Sequence, residues 1–235
     1  MIRIKIWSDF ACPYCYIGER RLENAIIKLG LRDEVEIEYK AFELDPNGSK
    51  VVTLKTAERF AKKYGLSLED AMKKVKEISA LGKELGIDFR YEDSQYSNTF
   101  DAHRLMKLTE DLYDKETVAR LNENLFSAYF TKGLVLANPE VLLNIGKESG
   151  LKEIDIDDVL ATESYAPQVR KDEKEASLLG VRGVPFMIFN DEFAIPGAIS
   201  QEGFITALER AKNRQSNESG EKAHECGPEG CKVTQ

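Results

Sequence analysis

The residues of this sequence best fitted by type and spacing to do chemistry are two cysteines, Cys12 and Cys15, in the stretch "DFACPYCYIGERR". A second pair, Cys226 and Cys231, brackets "GPEG" near the C-terminus, and the two histidines are His103 and His224. A Cys-x-x-Cys pair has three uses: it ligates half of a zinc site, it staples a fold, or it carries thiol–disulfide exchange. The last use needs one thiol that ionises readily and a second within reach of it. Both needs are met if Cys12 falls just before a helix and Cys15 one turn inside it. Unpaired backbone N–H groups and the positive end of the helix dipole then favour a thiolate at Cys12. Cys15, three residues on and on the same face, is placed to attack a mixed disulfide formed on Cys12. Of the two residues between them, Pro13 and Tyr14, the proline costs nothing in a first turn, where its missing N–H has no helical partner.

The flanking sequence supplies that helix. Alternating apolar and polar residues predict a strand over Ile2–Ser8. Tyr16, Ile17, Leu22, Ala25, Ile26 and Leu29 then recur at helical spacing from Pro13 to Gly30. "VEIEYKAFEL" alternates again, with Val35, Ile37 and Tyr39 on one side, which completes a β-α-β unit. Over residues 56–150 the strand signal disappears. Amphipathic stretches take its place: "TAERFAKKYG", "SLEDAMKKVKEISALGKELG", "FDAHRLMKLTEDL", "ETVARLNENLFSAYFTKG" and "NPEVLLNIGKESG". Gly closes them, or a cap such as Ser67 or Asn138 opens them, the latter followed by Pro139. No repeat of 20 to 50 residues runs through this region, which argues against a solenoid. A helix over residues 167–179 follows, then two short apolar runs flanking the turn dipeptide "ND", and a last helix with Ser200 as its N-cap.

In order, the elements are β-α-β, helical insertion, α-β-β-α, with the cysteines at the first strand-to-helix junction. The predicted class is α/β: a thioredoxin fold with a large all-helical insertion and a flexible C-terminal tail. The expected domains are residues 1–50 with 160–212 (thioredoxin-like), 51–159 (helical insertion) and 213–235 (tail carrying Cys226 and Cys231).

At 235 residues and 42% hydrophobic, the chain can bury a sizeable core. Its formal charge of −8 and its lack of any Lys/Arg-rich run exclude a phosphate-tracking nucleic-acid surface and an anionic-membrane anchor as expected partners. No run approaches 18 consecutive apolar residues, and the first strand does not read as a signal peptide. The expected compartment is therefore cytoplasmic, where thiols are kept reduced and a purely structural disulfide is a poor first choice. Redox exchange is favoured, zinc is the competing reading, and no cofactor is called for.

The same stretches carry a resemblance. "DFACPYCYIG", "FELDP", "SNTFDAHRL" and "LGVRGVPFMIFNDEFAIPGA" are similar to segments of the DsbA-like thioredoxin-fold thiol–disulfide oxidoreductases, in particular their cytoplasmic FrnE-type branch. The resemblance spans Ile2 to about Lys212. It implies a thioredoxin fold interrupted by a helical domain, with thiol–disulfide exchange as the activity. It also implies that Val184–Pro185 is a cis-proline loop packed against Cys12 and Cys15, with Val184 offering backbone groups to an extended substrate. Asn98 and His103 match family positions facing the cleft between the domains, which makes them candidate shapers of the site.

A different class within the superfamily stays open: kappa-type glutathione transferases and chromene-carboxylate isomerases, which also have a helical insertion. Those enzymes generally have Ser at the first cysteine, whereas this chain has both cysteines. The expected activity is reduction, oxidation or isomerisation of protein disulfides, with protein thiols as substrates and glutathione or a thioredoxin-type system as electron partner. In the tail, Pro228 and Gly230 favour a type I reversal that brings Cys226 and Cys231 toward disulfide distance. An accessory redox pair, a metal clasp with His224 and an incidental end are the three readings there. The Pro-Tyr dipeptide also lies between glutaredoxin cysteines, whose potentials of roughly −200 to −230 mV would leave the pair largely reduced in the cytosol.

Overall fold

The computed structural model describes residues 1–221; the tail residues Cys226, Cys231 and His224 lie outside them, so the accessory-pair reading is not addressed by the structure. The first strand, β1 (Ile2–Ser8), lies at the centre of a four-stranded sheet of order β2-β1-β3-β4. Strand β2 (Val35–Ala41) pairs parallel to it, with Ile4 opposite Ile37. Strands β3 (Phe186–Phe189) and β4 (Phe193–Pro196) continue antiparallel on the other side, with Ile4 opposite Phe189. The "ND" turn between them places Asn190 and Asp191 at φ of 53° and 59°, the left-handed pair that a two-residue hairpin requires.

The alternation of β1 sends Ile2, Ile4 and Ile6 to one side, where they pack with Leu22, Ala25 and Ile26 of helix α1 (Pro13–Lys28) and with Phe204, Leu208 and Ala211 of helix α9 (Gln201–Glu221). Helix α9 continues past Lys212, where the sequence pattern ended the domain. Residues 213–221 are polar but contain no proline, and Arg214 pairs with Glu192 at 2.7 Å.

Between β2 and β3 run α2 (Thr56–Tyr64), α3 (Leu68–Glu84), α4 (Phe100–Leu112), α5 (Lys115–Phe130), α6 (Pro139–Ser149), α7 (Glu153–Ala161) and α8 (Ala166–Leu178). Ser67 and Asn138 cap α3 and α6 by accepting from Asp70 N–H and Glu140 N–H. Periodicity missed α7, because only Ile156 and Val159 of its nine residues are buried.

One aromatic core joins the helical segment to the start of α1. Tyr16 stacks on Phe126 of α5 at 5.0 Å, and Phe89 stacks on Phe130 at 4.8 Å. Helix α1 therefore turns one face to the sheet and the other to the helical segment. Polar ties add to this: Glu123 of α5 accepts from Arg20 and from the Tyr16 hydroxyl, both at 2.6 Å. On the other side of the sheet, Asp172 of α8 takes Lys40 at 3.3 Å, Lys107 at 2.8 Å and the Ala41 N–H at 3.1 Å. Among the described residues no helix is long and apolar enough to cross a membrane.

Candidate active site

Cys12 is the N-cap of α1, with extended backbone angles (φ −96°, ψ 112°), and Pro13 is the first helical residue. The Cys15 N–H donates to Cys12 C=O at 3.1 Å, so the two residues occupy one turn. The Cys12 thiol donates to the Val184 carbonyl at 3.5 Å, and the Val184–Pro185 peptide is cis. Close approach of this loop to α1 depends on Gly18. A Cβ there would sit 3.2 Å from both Pro185 Cγ and Ala198 Cβ.

The two sulfurs differ in surroundings. Cys12, 5% exposed, lines a cleft of about 370 Å³; Cys15 is 0% exposed and does not. Tyr14, 45% exposed, stands at the cleft beside Pro13. The opposite wall comes from the helical segment: Arg59, Lys63 and Tyr64 of α2, then Tyr91, Tyr96 and Tyr129. The Arg59 guanidinium lies 3.1 Å over the Tyr96 ring. Burial, followed by the negative charge of an ionised Cys12, pushes the Tyr64 and Tyr91 phenols upward, so both are protonated at neutral pH.

Beneath Cys12 lies Asp9, buried and ionised. Its Oδ1 accepts from Ala11 N–H at 3.1 Å and from Thr99 Oγ1 at 2.9 Å, and its Oδ2 accepts from Leu44 N–H at 2.7 Å. His103 Nε2 is 3.8 Å from Oδ1, within ion-pair range, and makes no hydrogen bond. Burial alone would raise the Asp9 carboxyl, but His103 and the Leu44 and Ala11 N–H groups outweigh it and hold the group below its ordinary value.

Burial, then the hydrogen bond and charge of Cys12, push the Cys15 thiol well up, with the Ser8 hydroxyl acting in the opposite sense. Ser8 Oγ in turn donates to Glu19 Oε1 at 2.7 Å, and Asn122 Nδ2 donates to Glu19 Oε2 at 2.7 Å.

The structure thus brings Cys12, Pro13, Tyr14, Cys15, Val184 and Pro185 together. Asn98 and His103 are placed differently from expectation: neither lines the cleft. Asn98 donates to buried Glu43 at 3.0 Å, and His103 packs on the Phe10 ring at 4.9 Å. They lie behind the loop that carries the cysteines because α4 begins there, with its N-terminal residues turned toward Asp9. Sequence reasoning missed Asp9, Ser8, Glu19 and the basic-aromatic cleft wall. For Asp9 the available signal was an acid three residues before the first cysteine. Among the described residues no group of three or more His, Cys, Asp or Glu is placed to hold a metal ion.

The geometry agrees with comparisons to known proteins. In Streptomyces coelicolor, the solved structure of a probable DsbA oxidoreductase is 33% identical, covers all of both chains and superposes with a TM-score of 0.83. The uncharacterized protein YwbO of Bacillus subtilis is 26% identical over 88% of this chain and 96% of its own. The cytosolic disulfide reductase DsbM of Pseudomonas aeruginosa, solved with GSH, is 13% identical over 92% of this chain and 98% of its own, with a TM-score of 0.61, and so shares the fold. A model of the DSBA-like thioredoxin domain matches residues 3–209, which include both cysteines, the Val184–Pro185 loop and the helical segment between them. With that match covering most of its length, the chain belongs to the DSBA-like thioredoxin domain family.

Proposed function

We propose that this disulfide oxidoreductase exchanges protein disulfides through the Cys12–Cys15 dithiol, with Cys12 attacking and Cys15 resolving. The observation that carries this reading is the asymmetry of access: Cys12 opens onto the cleft while Cys15 is sealed one turn behind it. A substrate sulfur reaches Cys12 alone. Attack by the Cys12 thiolate forms the mixed disulfide and releases one substrate thiolate. Attack by Cys15 on Cys12 Sγ then frees the second substrate sulfur and leaves Cys12–Cys15 oxidised. The carbonyl of Val184, 3.5 Å from the Cys12 sulfur, lies where an extended substrate segment can pair with backbone.

Arg59 and Lys63 give the cleft two cations, which suits the carboxylates of glutathione as the electron partner; a neighbour of the same fold was solved with GSH. The compartment proposed is the cytosol, the location given for that neighbour. Cys12→Ser is expected to abolish insulin-disulfide reduction, and Cys15→Ser to accumulate mixed disulfides visible by mass spectrometry. Full turnover by Cys15→Ser would refute the dithiol mechanism and favour a glutathione-dependent transferase or isomerase.

A further inference from the structure

The cleft that holds Cys12 does not end at its own walls. Four of its lining residues, Leu44, Arg59, Lys63 and Tyr96, also line a neighbouring pocket of about 440 Å³, whose other walls include Ser49, Thr53 and Lys62. Arg59, Lys62 and Lys63 stand at i, i+3 and i+4 on α2, so all three share one side of that helix. Arg59 is held in place, its guanidinium over the Tyr96 ring and 3.7 Å from Asp45 Oδ2. Lys62 and Lys63 are exposed, and among the described residues neither is paired with a carboxylate. Among those residues Asp45 is the one acid lining either pocket.

This charge distribution runs against the rest of the molecule. The chain has 41 acidic residues against 33 Lys and Arg, yet the trough beside Cys12 sets three cations against one carboxylate. Like charges at these spacings weaken a helix. The last turn of α2 suits Lys62 and Lys63 to the helix dipole, but that accounts neither for Arg59 nor for the opening of all three onto one trough.

We infer that the neighbouring pocket is a subsite for an acidic side chain of a polypeptide substrate, held by Lys62 and Arg59 while the substrate disulfide lies at Cys12. The inference rests on Cys12 being the attacking thiol and adds a substrate class to it, disulfides flanked by Asp or Glu. An extended chain advances ~3.3 Å per residue, and α2, at nine residues, is ~13 Å long. An acid within about four residues of the reacting cysteine is therefore in reach. Asp45 already balances part of the Arg59 charge, which leaves Lys62 as the specificity-determining residue. Arg59 and Lys63, which line the Cys12 cleft itself, serve the carboxylates of glutathione; Lys62 does not line that cleft, so its replacement separates the two ligands.

The test uses short peptides whose single cysteine is a mixed disulfide with 2-thiopyridine, with Asp or Asn placed within about four residues of it on either side. The Cys12 thiolate bonds to the peptide sulfur, the peptide–thiopyridine S–S bond breaks, and its electron pair leaves on thiopyridine, whose absorbance gives the rate. The rate remaining in Cys12→Ser is subtracted. With the reduced full-length protein at low salt, the Asp peptide is expected to react roughly fivefold faster than the Asn peptide, and the ratio to fall toward one at high salt. In Lys62→Glu the order is expected to invert, with a Lys peptide now faster than the Asp peptide, a reversal that a purely structural role would not produce. Equal rates for Asp and Asn peptides in the parent protein, or an Asp preference kept in Lys62→Glu, would overturn the inference while leaving the dithiol reading intact. Slowing of glutathione disulfide as severe as that of the Asp peptide in Lys62→Glu would assign the pocket to glutathione and overturn it as well. A peptide rate undiminished in Cys12→Ser would overturn the dithiol reading, and the inference with it.

Discussion

Asp9→Asn removes a single negative charge with almost no change in volume, and the structure fixes what that charge does. One carboxylate oxygen serves Leu44 N–H, and the other serves Ala11 N–H and the Thr99 hydroxyl with His103 nearby. An amide has one acceptor and one donor, so either orientation points N–H against N–H. At least one buried backbone donor is left without a partner, at about 1–3 kcal/mol. The surviving bonds drop from charge-assisted to neutral, which costs about 1 kcal/mol more, and His103 loses its anion. The expected destabilisation is about 3 kcal/mol, or a fall in Tm of about 6–12 °C for a chain of this length.

Urea melts of the reduced protein at pH 7 measure this difference. Because the native carboxyl lies below its unfolded value, its contribution is complete above the ordinary carboxyl range and is lost as pH falls through the native value. The gap between the parent protein and the variant should therefore be constant above about pH 5 and close below about pH 4. A loss under about 1 kcal/mol, or a gap that widens on acidification, would refute the reasoning. Exchange should slow as well, since Ala11 N–H holds the residue next to Cys12.

Three further outcomes follow from the same structure. In Gly82→Ala the new Cβ would lie 2.4 Å from ring atoms of Phe89. The helix-propensity gain of about 1 kcal/mol is then outweighed by overpacking of about 1–3 kcal/mol, seen as a lower urea midpoint at unchanged slope. Arg59→Ala should raise KM for glutathione disulfide about tenfold with kcat little changed, and the effect should shrink at high salt. Glu19 gives the opposite pH sign to Asp9. Its native value, about 7, lies above the ordinary 4.5, so its contribution to stability is full below about pH 4.5 and declines as pH rises toward 7. The whole decline is about 3 kcal/mol at most. Melts of Glu19→Gln should lack it, and an equal decline in that variant would assign it to other groups.

Much of the fold was legible in the sequence because it is written locally. Period-two alternation located β1 and β2, and a two-residue turn joined β3 to β4. Caps at Ser67 and Asn138 set the starts of two helices, and Pro13 marked the first turn behind Cys12. Each of these signals lies within a few residues of the element it specifies. The cis form of Val184–Pro185 had no such local mark and came from the resemblance alone. Helix α7 was lost because two buried residues do not make a readable period.

The site divides along the same line. Its central part, a cysteine at a helix start with a second one turn on, is a local feature, and that placement could be read from the sequence. Its surroundings are assembled from distant segments. Asp9 is bound by residues 35 and 90 positions away, and Glu19 by one 103 positions away. The cleft wall draws Tyr64, Tyr91, Tyr96 and Tyr129 from separate stretches of the helical segment. No spacing rule connects such residues, since a side chain that serves a remote partner obeys no helical or strand period of its own. His103, which the resemblance assigned to a cleft position, faces the Asp9 carboxylate behind the loop in the folded chain. The consequence for function is specific. The thioredoxin-like strands and α1 supply the dithiol, while α2 and α5 supply the cations over it and the Asn122 bond behind it. Under the proposed dithiol exchange, substitutions in the helical segment should accordingly change which disulfides are exchanged without abolishing attack by Cys12.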